Sequence, residues 1–134
     1  MFKKIIAILF LLAQSVTSFA ADNPLSVHVL NMQNGLPGVG IEVNLEYYDN
    51  GNWVSLNAGT TNQQGRITAL YPSEGTIKEG VYKVTFKTGD WMNGQNVKTF
   101  FPEIPVIFKV DGTLSHYHIP LLLSPFGYST YRGN

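Results

Sequence analysis

Cysteine is absent from the 134 residues. Its absence excludes disulfide staples, a thiol nucleophile and Cys-ligated zinc, and leaves packing or association between subunits to supply robustness. Charge is scarce as well, and nine basic side chains balance nine acidic ones. Two of the basic residues, Lys3 and Lys4, fall within the first 20 positions, so the rest of the chain carries seven basic against nine acidic groups, a net −2. That balance lacks the basic excess that nucleic-acid phosphates require. Arginine is limited to Arg66 and Arg132, and histidine to His28, His116 and His118. Long apolar runs are missing too. The longest, Ile5 to Ala13, has nine residues, far short of the roughly 20 that span a bilayer.

That short apolar run follows Lys3 and Lys4 and precedes Ser18-Phe19-Ala20, with small residues at the two positions a signal peptidase reads. The pattern is that of a secretory signal peptide cleaved after Ala20. The expectation is a signal peptide over residues 1–20, a single domain over residues 21–134, export to a compartment such as the periplasm, and no membrane attachment after cleavage. Removing 20 of 134 residues leaves 114, enough for one core with little to spare.

Within that domain the dominant signal is alternation. In "LSVHVLN", Leu25, Val27 and Val29 share one face and Ser26, His28 and Leu30 the other, and "IEVNLEYY" repeats the two-residue period of a half-buried strand. Glycine, proline and asparagine punctuate the runs at "NGLPGVG", "DNG" and "TTNQQGR", where turns are expected. Further strands are read in "WVSLNAG", "ITALY", "GVYKVTFKTG", "VIFKV", "HYHIPLLLS" and "FGYSTYRG". Short strands at this spacing indicate an antiparallel β-sandwich. A single short helix is placed at Asp90 to Val97, and "FFPEIP" is read as a loop because Pro102 and Pro105 cannot donate ladder hydrogen bonds.

In "HYH" a strand projects His116 and His118 from one face, about 7 Å apart, with Tyr117 and Ile119 on the other. Each histidine alone is consistent with a solvated polar face. Together with His28 they allow three readings. One is an imidazole-only zinc site, the second a metal-free hydrolytic site in which neutral imidazole is the general base on water, and the third the lining of a ligand-binding pocket. Arg66, in a turn entering a strand, and Arg132, third from the end, are each consistent with a solvated side chain; arginine's planar fork suits recognition of carbonyl and carboxylate oxygens, which makes both candidates for the electrophilic partner.

"SVHVLN", "GLPGVGIEV", "TTNQQGRI", "EGVYKVTF", "FFPEIPVIF" and "HYHIPLLLSPFGYSTYRG" together resemble the 5-hydroxyisourate hydrolases, the transthyretin-like enzymes of urate breakdown, from about Leu25 to Gly133. "LLLSPFGYST" is similar to transthyretin itself, whereas "HYH" and the terminal "YRG" resemble the enzymes. The resemblance implies a transthyretin-like sandwich of two four-stranded antiparallel sheets with one short helix, assembled as a homotetramer. It implies hydrolysis of 5-hydroxyisourate without metal or other cofactor, with His28, Arg66 and His118 as catalytic residues and Arg132, Tyr131 and Asn134 at the substrate. The alternative is an exported small-ligand-binding protein of the same fold without turnover. Where the family's terminal tetrapeptide usually ends in serine, this chain has Asn134, which replaces a hydroxyl by a longer amide.

Overall fold

The computed structural model describes residues 22–134, so the expected signal peptide and its cleavage point lie outside the described residues. In chain order the elements are β1 (Leu25–Asn31), β2 (Leu36–Pro37), β3 (Glu42–Asp49), β4 (Asn52–Thr60), β5 (Arg66–Ile67), β6 (Gly80–Phe86), α1 (Thr88–Asn93), β7 (Ile104–Val110), β8 (Tyr117–Ser124) and β9 (Gly127–Thr130). One sheet has the order β2-β1-β8-β9, with β5 also on β1, and the other has the order β4-β3-β6-β7. The two-sheet, all-β architecture with one short helix is the expected one.

Alternation builds the core. Leu25, Val27 and Val29 of β1 and Tyr117, Ile119, Leu121 and Leu123 of β8 face Val43 and Leu45 of β3 and Tyr82, Val84 and Phe86 of β6, all buried. Burying each such side chain contributes roughly 1.5–3 kcal/mol, so the faces of these strands cannot be exchanged by a one-residue slip. Hence the intervening side chains, Ser26 and His28 on β1 and His118 on β8, occupy the outer face of the first sheet.

Five details differ from the sequence reading. β1 and β8 run parallel through seven paired positions, Leu25 with Tyr117 to Asn31 with Leu123; all four strands of the second sheet, β3, β4, β6 and β7, lie between them in the chain and supply the long crossover that a parallel pair needs. β8 occupies one edge of β1 throughout, and the two-residue strands β5 and β2 divide the other, so this sheet has five strands. "ITALY" contributes only Ile67. Pro105 lies inside β7, which is tolerated because β7 is an edge strand. Finally, α1 begins at Thr88, where the Gly89 amide reaches the Pro102 carbonyl, and stops before Gly94. Among the described residues no helix is long and apolar enough to cross a membrane.

Candidate active site

Arg66 is positioned by its turn. The Asn62 side-chain oxygen accepts hydrogen bonds from the Gln64 and Arg66 amides at 2.9 and 3.0 Å, an arrangement that asparagine favours because its carbonyl can stand in for a backbone acceptor. Gly65, at φ +72°, turns the chain so closely past β1 that a Cβ there would stand 2.5 Å from the Val29 carbonyl oxygen. Only glycine fits that conformation and that approach. The turn delivers Arg66 directly opposite His28 across the β1–β5 pair.

β8 delivers His118 to the same face. The His28 and His118 rings lie with centroids 6.5 Å apart and planes 24° from parallel. Ser26 Oγ stands 2.7 Å from His118 Nδ1 and 2.8 Å from His116 Nε2, and His116 Nδ1 in turn lies 2.9 Å from the Asn23 carbonyl oxygen. Arg66, Ser26 and His116 line a cavity of about 560 Å³ with Asn23, Thr68 and Glu74.

Burial and the Arg66 charge favour the neutral forms of His28 and His118. Burial, and then the Arg66 charge, hold His28 below the ordinary histidine value, against a hydrogen bond to the Gln64 backbone that raises it. For His118 burial is again the largest cause, followed by Arg66, His116 and His28, and the value is again lowered. A neutral imidazole beside a guanidinium can accept a proton from water while the arginine holds substrate oxygens. His116 already engages both ring nitrogens, and among the described residues no cluster of His, Cys, Asp and Glu is disposed to hold a metal ion.

The terminal residues divide. Tyr131 and Arg132 line a second cavity, of about 310 Å³, with Val106, Phe108, Tyr117 and Ile119. Tyr117 and Ile119 point inward from β8, so this cavity opens on the core side of the first sheet, beside β7. His28, Arg66 and His118 therefore converge within one chain, whereas Tyr131 and Arg132 line the separate cavity beside β7. The next residue returns to the histidines: the Gly133 amide donates to the His118 carbonyl at 2.9 Å, and a Cβ on Gly133 would stand 2.5 Å from His118 Cδ2. Asn134 follows, exposed at the chain end. Ser26, Asn23 and Gly133 are the residues that sequence reasoning missed. Ser26 shares the polar face of β1 with His28, and that two-residue spacing was the available signal.

Residues 25–133 match the model of the HIUase/transthyretin family. A protein of Salmonella dublin named 5-hydroxyisourate hydrolase is 50% identical over 122 residues, which cover 91% of this chain and 89% of that one. The solved 5-hydroxyisourate hydrolase of Klebsiella pneumoniae superposes with a TM-score of 0.72 at 33% identity, covering 82% of this chain and 98% of that one. Sea bream transthyretin, solved in complex with thyroxine, superposes at 0.75 with 30% identity, covering 82% and 94%.

Proposed function

The chain belongs to the HIUase/transthyretin family, and from that premise we propose that it is an enzyme that hydrolyses 5-hydroxyisourate to 2-oxo-4-hydroxy-4-carboxy-5-ureidoimidazoline. One observation carries the chemistry: His28, Arg66 and His118, distant in sequence, meet on one sheet face, where burial and the Arg66 charge shift both imidazoles toward the neutral form. The substrate is taken from the Salmonella and Klebsiella relatives, both named 5-hydroxyisourate hydrolase.

In this reading His118, with His28 beside it, orients a water and removes its proton as the oxygen attacks a ring amide carbonyl. Arg66 holds substrate oxygens and stabilises the negative charge that develops on the carbonyl oxygen. The ring C–N bond then breaks, the proton on His118 passes to the leaving nitrogen, and the carbonyl carbon is released as a carboxylate. No cofactor enters the scheme.

Assembly and location complete the proposal. Phe100, Phe126 and Tyr131 are 73%, 71% and 59% exposed, an apolar load that association would cover. A homotetramer would bring Tyr131, Arg132 and Asn134 to a substrate held between subunits. The lysine-flanked apolar leader supports export to the periplasm, with urate breakdown as the process served.

The test is to add freshly prepared 5-hydroxyisourate to the purified protein and follow its ultraviolet decay. Acceleration over the spontaneous rate, unchanged by a chelator, is the expected result. Binding without acceleration would establish the carrier reading instead.

A further inference from the structure

The proposed base has a tautomer problem. A neutral histidine carries its proton on Nδ1 or on Nε2, and only the form with a bare nitrogen facing the substrate can accept a proton from water. We propose that Asn23, His116 and Ser26 form a hydrogen-bond chain that fixes His118 with its proton on Nδ1 and its Nε2 bare, making Ser26 and His116 positioning residues for the reaction.

The argument starts at a group with no choice. The Asn23 carbonyl oxygen can only accept, so His116 Nδ1, 2.9 Å away, carries a hydrogen. In the proposed chain the other His116 nitrogen, Nε2, is the acceptor of the Ser26 hydroxyl proton, with Oγ at 2.8 Å. The serine's single proton is engaged there. Its 2.7 Å contact with His118 Nδ1 is therefore a bond that Nδ1–H donates to Oγ, and His118 Nε2 is left bare. In the opposite tautomer, two bare nitrogens would compete for one hydroxyl proton and one bond of the chain would be lost.

The origin of the chain is itself held in place. The Asn23 side chain donates to the Tyr71 carbonyl at 2.7 Å and accepts from the Tyr71 and Leu25 amides, each at 3.1 Å. At the other end Gly133 packs on the His118 ring. When His118 gains a proton at Nε2 its Nδ1–H still donates to Ser26, so no hydroxyl need rotate during the step. A site already arranged for its charged state loses nothing to reorganisation.

The inference rests on His118 being the base, and two readouts keep it separable from that reading. Long-range proton–nitrogen correlation spectra of the ¹⁵N-histidine-labelled protein report which ring nitrogen carries hydrogen, whether or not the protein turns over. The expected result is Nδ1–H and bare Nε2 on His118, converted to a mixture of tautomers in both Ser26→Ala and His116→Ala. In the decay assay Ser26→Ala should lower kcat roughly tenfold, the equivalent of one lost hydrogen bond, with KM unchanged. Ser26→Thr, which keeps the hydroxyl on a strand position that accepts β-branching, should restore both the tautomer and kcat. His118 carrying its hydrogen on Nε2 in the wild type, or an unaltered kcat in Ser26→Ala, would overturn the inference. A protein with the expected tautomer but no hydrolysis would overturn the proposed reaction and leave the hydrogen-bond chain standing.

Discussion

Gly133→Ala tests whether the end of the chain is part of the working site. The added Cβ would stand 2.5 Å from His118 Cδ2, 3.2 Å from His118 Cγ and 3.1 Å from Pro120 Cγ, so either the ring or the tail must move. His118 is 9% exposed, is paired with Ser26 of β1 in the sheet, and has its ring bonded to the Ser26 hydroxyl. Gly133 lies beyond β9, outside any strand, and gives up the single bond from its amide to the His118 carbonyl. The tail therefore yields, at a cost of about 1 kcal/mol for that bond, or a fall in Tm of about 4 °C for a domain of this size. Displacing Arg132 and Asn134 from their places by about 1 Å or more is expected to lower kcat/KM about 100-fold. Scanning calorimetry and the 5-hydroxyisourate decay assay measure the two effects on the same preparation. Full activity in the variant would refute a role for the tail. A fall in Tm several times larger would show that the sheet at His118, and not the tail, had given way.

Other perturbations separate the roles within the site. His118→Ala should reduce kcat by about 10²–10⁴-fold and Arg66→Ala by about 10²–10³-fold; near-normal rates in either would remove that residue from the mechanism, and unchanged circular dichroism would show the fold intact. Because the folded-state values of His28 and His118 lie below the ordinary 6.5, the active neutral forms persist as pH falls to that value, and the acid limb of kcat/KM is expected below it. The same shifts affect stability: the unfolded chain binds these protons first, so the contribution of the neutral imidazoles is complete above pH 6.5 and is lost as pH falls through the folded-state values. A limb above 6.5 would contradict both. Asn134→Ser should leave activity unchanged or raise it, and a large loss in the decay assay would show a site built around the asparagine amide.

Much of the architecture was legible because alternation in a strand is a local property. The valines of β1 and the Tyr117-Ile119-Leu121 series of β8 mark their inward faces without reference to any partner. What local pattern could not show was the partner itself. The parallel pairing of β1 with β8 joins segments 92 positions apart, as in Ser26 and His118. The acceptance of Pro105 depended on β7 being an edge strand, which is a property of the sheet and not of the proline.

The site divides along the same line. Residue type and periodicity by themselves determined that His28 faces away from the core, that His116 and His118 share a face, and that the only two arginines are Arg66 and Arg132. Tertiary structure alone decided that Ser26 stands between His116 and His118, that Gly65 delivers Arg66 opposite His28, and that Gly133 closes on His118 while Arg132 lines the separate cavity beside β7. The physical reason is that burial acts on each side chain singly and leaves its mark at every second residue, whereas a hydrogen bond of 2.7 Å requires two specific atoms whose separation exists only once the strands are paired.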